Sequence, residues 1–291
     1  MKLWSLAGSR QRIDGGVLFG DLPRTLWSRW MVPDEHNRVA TPGRVLLADG
    51  LAGARVLFGT GIGAFLKPAL RERHGVEEPA HMLLRSLRAI GLRHHDIDAI
   101  ILSHLQIGHA GGLLFPWRPE AQPALLFPNA RYLVSNAAWR RASEPHLRDR
   151  THFLPELVSL LDDSGRLELV RGEYSRALGE SVRFHYSEGY TPGMMLPEIV
   201  GPCGRDGMVA CADLIPGRAW LHAPVTGGLA RSAEQLVDEK RAFLIDAHAR
   251  RLRLHFACDP DVASVRLGRD EHQRFVPRDP LTSLNGCALE E

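Results

Sequence analysis

The chain has 291 residues, 44% of them hydrophobic and 24% charged, with a formal net charge of +2. Numbers this ordinary exclude a disordered or low-complexity chain and leave room for a substantial buried core. The basic residues are scattered and nearly all arginine, the only lysines being Lys2, Lys67 and Lys240, so no concentrated basic face is expected and the reading is of no nucleic-acid partner.

Cys203, Cys211, Cys258 and Cys287 are too few for a disulfide framework in a chain this long. Residues 1–12 carry no apolar stretch of signal-peptide length, and no later run is long enough to span a bilayer. The expectation is a cytoplasmic protein with no membrane partner. No Gly-, Ser- and Pro-rich linker divides the chain, so residues 1–291 read as a single domain.

In chain order, the first sixty residues read as β structure. Arg44–Ala48 and Arg55–Phe58 are apolar runs joined by Asp49-Gly50, a hairpin-like signal. Ala80–Leu92 has Leu83, Leu87 and Ile90 at helical spacing. Ala99–Leu102 is a fully apolar run that reads as a buried strand, ending at Ser103-His104. Arg131–Ser135 predicts a strand followed by a helix from about Asn136, and Phe153–Leu161 predicts another helix. Leu167–Val170 and Val182–Tyr186 alternate like strands. Met208–Ala212 is a buried strand that stops at Asp213. Ser232–Arg250 is the longest helical pattern, and Leu252–Ala257 is a strand that stops at Cys258-Asp259. Arg250, Arg251 and Arg253 alternate with apolar residues and read as a solvated strand face. Strands and helices alternate in two groups, which argues for a layered α/β architecture. Three apolar strands thus end in His104, Asp213 and Cys258, residues able to do chemistry on a rigid frame.

The stretch Ser103-His104-Leu105-Gln106-Ile107-Gly108-His109-Ala110-Gly111-Gly112 resembles the Ser/Thr-His-x-His-x-Asp-His-x-Gly-Gly signature of the metallo-β-lactamase superfamily. Four further stretches resemble that family in the same order. They are Val56–Gly61, Gly189-Tyr190-Thr191-Pro192-Gly193, Ala212-Asp213-Leu214 and Phe256-Ala257-Cys258-Asp259. Asp14-Gly15-Gly16-Val17-Leu18-Phe19-Gly20, with Pro23 and Trp27, is similar to the lactonase branch that includes quorum-quenching enzymes. The resemblance runs from about residue 2 to residue 276 and implies an αββα four-layer sandwich.

In that family seven protein ligands hold two metal ions, which lower the pKa of bound water from about 15.7 towards ~7. Carried onto this chain, the first metal's ligands fall at His104, Gln106 and Tyr190. The second's fall at Gly108, His109 and Cys258, with Asp213 bridging. An amide is a poor zinc ligand, a phenol must first lose its proton, and glycine offers nothing, so two-metal catalysis is not expected. The resemblance implies one zinc at most, held by His109, Asp213 and Cys258, with His104 as a further candidate ligand. The catalytic candidates are His104, Tyr190 and Asp213. Tyr190 is suited to donating a hydrogen bond to a developing oxyanion.

Each residue also has a structural reading. The histidines can bond to backbone at the turn, Asp213 can cap, and a buried cysteine is a small hydrophobe. Gly111, Gly112 and Gly193 read as backbone turns. Two functions compete. One is an ester or lactone hydrolase with an altered, single-zinc site acting on a small molecule. The other is a metal-free member: a pseudoenzyme, a small-molecule binder, or a cyclase or isomerase using His104 and His109 for acid–base work. Residues 116–150 and 216–231 are expected to shape the cleft, and the lactonase-like resemblance implies a homodimer.

Overall fold

Short strands with apolar residues on both faces build two sheets that stack on one another. The computed structural model describes residues 1–289. The first sheet has seven strands in the order β15 (Asn285–Cys287), β1 (Lys2–Leu6), β4 (Val45–Leu51), β5 (Ala54–Phe58), β6 (Ala99–Ile101), β7 (Arg131–Ser135) and β8 (Leu167–Val170). The second has six, in the order β14 (Phe275–Leu281), β13 (Ser264–Arg269), β12 (Arg253–His255), β11 (Met208–Ala210), β10 (Met194–Ile199) and β9 (Val182–Ser187). A two-stranded ribbon pairs β2 (Gln11–Asp14) with β3 (Arg38–Thr41).

Three apolar layers hold these sheets. Phe58, Ile101 and Leu133 of the first sheet meet Phe184, Met195 and Met208 of the second in a shared core. On the outer face of the first sheet lie α4 (Met82–Ala89), α6 (Asn136–Ser143) and α7 (Pro155–Asp163), which bury Leu83, Leu87, Ala138, Ala142, Leu157 and Leu161. On the outer face of the second lies α8 (Ala233–Ala249), which buries Leu236, Phe243, Leu244 and Ala247. Ser232 starts this helix, its hydroxyl accepting from the Gln235 N–H. The result is the αββα sandwich expected from sequence. No helix among the described residues is long and apolar enough to cross a membrane.

Three expectations need correction. The strands on either side of Asp49-Gly50 do form an antiparallel hairpin, but its turn is at Ala52-Gly53, both at positive φ, while Gly50 sits inside β4 at an irregularity in the register. The first sixty residues are not all β: Gly15–Phe19 (α1) and Arg24–Trp27 (α2) are helical, and a further short helix, α3 (Pro68–Arg73), follows β5. Arg250 is not solvated. Its guanidinium grips the fully buried Glu198 carboxylate, at 2.7 Å to each oxygen.

The pairings β5–β6–β7 and β11–β12 are parallel. Residues following β6, β11 and β12 line one cavity of about 370 Å³ at the rim of the sandwich.

Candidate active site

His104 lies three residues beyond the end of β6 and is 1% exposed. Its Nδ1 accepts a hydrogen bond from the Gln106 N–H at 3.2 Å. That contact leaves the ring proton on Nε2, which donates to Asp213 Oδ2 at 3.0 Å. His109 sits on the one-turn helix α5 (Ile107–Ala110). Its Nε2 donates to the other oxygen, Asp213 Oδ1, also at 3.0 Å. The two imidazoles meet edge to face, 4.6 Å between centroids. Asp213 follows β11 through Ala212, whose φ of 45° is left-handed. A non-glycine residue there costs about 1–2 kcal/mol, and the strained turn carries the carboxylate to the imidazoles.

The two glycines after His109 act differently from expectation. Gly111 has an ordinary helical φ of −63°. A Cβ on Gly111 would lie 2.4 Å from the Ile62 carbonyl, and one on Gly112 2.3 Å from the Thr60 carbonyl. They permit close approach of the loop after β5, which clamps the turn through Thr60 N–H and Oγ1, both donating to the His109 carbonyl. Gly193, at φ +67°, is the turn residue foreseen.

Burial would raise the pKa of Asp213, but the two imidazoles outweigh it and hold the carboxylate well below its usual range. Burial pushes His104 down, and the neighbouring His109 adds to this. For His109 burial also acts downward, but the charge and hydrogen bond of Asp213 prevail and its pKa is raised. The arrangement is an ionised carboxylate between two imidazoles of opposite tendency.

Tyr190, in the loop between β9 and β10, is 9% exposed, and its ring lies 5.7 Å from that of His104. The hydroxyl donates to Gln106 Oε1 at 3.5 Å, the limit of a hydrogen bond. Burial, and next the negative charge of Asp213, lift the phenol well above 10, so Tyr190 stays protonated and is a donor. The Glu239 carboxylate on α8 anchors this loop by accepting from Ser187 Oγ and from the N–H groups of Glu188 and Gly189.

His109, Tyr190, Asp213 and Cys258 line the same cavity, and His104 lies behind Asp213. The compact donor group is His104, His109 and Asp213, with ligand atoms within 4.8 Å of one another. Cys258 is not among those three. Burial, with Asp213 nearby, pushes its thiol up to about 12, so it is held as a neutral thiol. The remaining walls also differ from expectation. Residues 216–231 contribute Pro216, Trp220, Gly227 and Leu229, whereas none of residues 116–150 lines the cavity. Gln11–Asp14, Val17, Leu18, Arg73, His74 and His152 do so instead.

The N-terminal motif has a packing explanation. Phe19 is stacked between Trp27 and Trp220, at 5.1 and 4.8 Å, and Trp220 Nε1 donates to the Leu18 carbonyl. This stack ties the 14–27 segment to the 216–222 segment beside the cavity.

The backbone superposes on a probable metal-dependent hydrolase from Staphylococcus aureus with a TM-score of 0.82 and 22% identity, covering 96% of this chain and 97% of that one. It also matches AidC, a dizinc quorum-quenching lactonase solved with a product, at TM-score 0.72 and 19% identity, over 95% and 94% of the two chains. A third match is the hydrolase AbOPH of the β-lactamase superfamily, at TM-score 0.73 and 15% identity, over 94% and 93%. The chain has the metallo-β-lactamase fold. No family model matches the sequence, and no curated protein does.

Within the metallo-β-lactamase fold, Gly59, Gln106, Gly108, Tyr190 and Cys258 all line the cavity. A Cβ on Gly108 would meet nothing within 4 Å, so a missing side chain leaves open space beside His109. Gly59 lies at φ +77°, which suits glycine and penalises most side chains. Arg44, Ser103 and His255 also line the cavity, and none of them was a candidate site residue in the sequence. His255 ends a strand as His104 nearly does, and that position was the available signal.

Proposed function

We propose that the chain hydrolyses an ester or lactone bond of a small molecule, using at most one metal ion held by His104, His109 and Asp213. The observation that carries this reading is the convergence of three donor atoms within 4.8 Å beside an open cavity. Two neutral imidazoles and a carboxylate are a sound zinc donor set that leaves a position for water. When bound, the ion would supply a water acidified towards neutral pH and a Lewis acid for the carbonyl oxygen. The likeness to AidC, a dizinc lactonase, supports the substrate class.

The protein's own groups have separable tasks. Without the ion, Asp213 fixes both imidazoles by accepting their Nε2 protons, and a bound ion would take the place of protons there. Tyr190, held protonated, donates to oxygen that gains negative charge as the carbonyl is attacked. Gln106 orients the Tyr190 hydroxyl. The apolar cavity walls exclude water from the acyl part of the substrate.

One observation favours a metal-free variant. Nδ1 of His109 makes no hydrogen bond to any described residue, while Nε2 is held by Asp213. An imidazole oriented by a carboxylate, with its second nitrogen unengaged, is the arrangement of a general base. Elimination, cyclisation or isomerisation would then also be open to it.

Zinc analysis of the purified protein, paired with a lactone and ester panel, tests the proposal. The expected result is close to one equivalent of zinc and turnover that falls on chelation and returns on adding zinc. Zinc below about one tenth of an equivalent after reconstitution would overturn the metal reading. Turnover that survives chelation would select the metal-free variant, and no turnover across the panel would overturn the hydrolase reading.

A further inference from the structure

Part of the cavity, an inner chamber, is lined by residues that pack between the two sheets. In β6, Ile100 and Leu102 pack outward while Ile101 packs between the sheets. In β12, Leu254 packs outward against the α8 layer, so His255 takes the opposite, inter-sheet face. Arg44 precedes β4 in phase with Leu46, which also packs between the sheets. Arg44, Ser103 and His255 all line the cavity there, beside Phe58, Ile101 and Ala210.

Three polar groups of this inner chamber lack their usual partner. Ser103 is 7% exposed and His255 3% exposed. The Ser103 hydroxyl and His255 Nε2 are buried with no hydrogen-bond partner among the described residues. Buried polar atoms are nearly always hydrogen-bonded, so two unpaired ones in one chamber call for an explanation. The Arg44 guanidinium donates to the carbonyls of Asp259 and Pro260, but no carboxylate among the described residues forms an ion pair with it. Arg44 is half-buried, and the carboxylates that act on its charge from a distance, Asp259 and Asp261, are themselves bonded to Arg218. Burial and the Arg44 charge hold His255 down at about 3, so its ring is neutral and offers one donor and one acceptor.

We propose that the inner chamber is a binding subsite for a carboxylate on a short alkyl stem, with Arg44, Ser103 and His255 on the carboxylate and Phe58, Ile101 and Ala210 around the stem. A carboxylate would give Arg44 a direct ion pair and both unpaired groups an acceptor at once. The apolar walls favour an organic acid over inorganic phosphate. The subsite does not depend on the hydrolase reading: an inactive chain can possess it, and an active chain can lack it.

Calorimetric titration of the full-length protein with butanoate, 1-butanol and inorganic phosphate tests it, because binding is read without turnover. Butanoate is expected to bind saturably, and 1-butanol to bind roughly 10- to 100-fold more weakly. Arg44→Gln is expected to weaken butanoate by a similar factor, since the butanoate site is on Arg44 and not on the His104, His109 and Asp213 group. Arg44 also bonds to two carbonyls, so Ser103→Ala, which leaves Arg44 in place, is the second variant and should weaken butanoate by about threefold to tenfold. Equal binding of butanoate and 1-butanol, tighter binding of phosphate, no binding up to about 10 mM, or butanoate affinity unchanged in either folded variant would overturn the subsite.

Discussion

His104 and Asp213, separated by 109 positions in the chain, are joined by a hydrogen bond of 3.0 Å from Nε2 to Oδ2, and the second oxygen of the same carboxylate receives His109. One side chain therefore holds the site together. Removing it strands two imidazoles, one of them fully buried. Asp213→Ala is expected to lower the unfolding free energy by about 3 kcal/mol. It should also reduce tightly held zinc to background. Urea unfolding and metal analysis of the same preparation check both.

Gly108 faces open space, so a carboxylate can be placed there without a clash. Gly108→Asp is expected to raise zinc affinity on the order of tenfold and to leave the melting temperature nearly unchanged. Gly111→Ala is the opposite case. Its Cβ would strike the Ile62 carbonyl, and an overpacked backbone contact costs about 1–3 kcal/mol. Competition with a chromogenic chelator reads the first, and thermal unfolding reads the second.

Glu198 is fully buried and bonds to both Arg250 and His185. Burial alone would raise its pKa, yet these partners hold it below the usual range. Its folded value lies below its unfolded one. The stabilisation is therefore present above the unfolded pKa, about 4.3, and is lost as pH falls through the folded value. Arg250→Ala leaves the buried carboxylate with His185 as its one remaining partner, at a cost of about 3 kcal/mol near pH 7. Chemical denaturation across pH 3–7 should show the wild-type advantage shrinking towards acid.

Lys240 is buried in α8, and its ammonium donates to the carbonyls of Val225 and Ala223. Burial brings its pKa down from 10.5 to about 7. Between about pH 7 and pH 10 the unfolded chain holds a proton here that the folded chain does not. Stability attributable to this residue accordingly rises with pH across that window, by about 4 kcal/mol at most. Lys240→Met should lack this slope. Denaturation of both proteins at pH 7, 8 and 9 measures it, and parallel curves would refute it.

What the sequence determined by itself was local. Apolar runs at 99–102, 208–212 and 252–257 specified strands because burial on both faces demands them. The ordered motifs around His104, Tyr190 and Asp213 placed chemistry at strand ends and pointed to the sandwich. The resemblance also implied altered ligand positions at Gln106, Gly108, Tyr190 and Cys258. Tertiary structure alone decided which side chains form a set. Asp213 closes on His104 and His109, and Cys258 lies outside that donor group, because partners from different sheets meet only through the stacking of those sheets. The same holds for Arg44, Ser103 and His255. Each is unremarkable in its own segment, and only the packing of one sheet on the other brings them to one cavity.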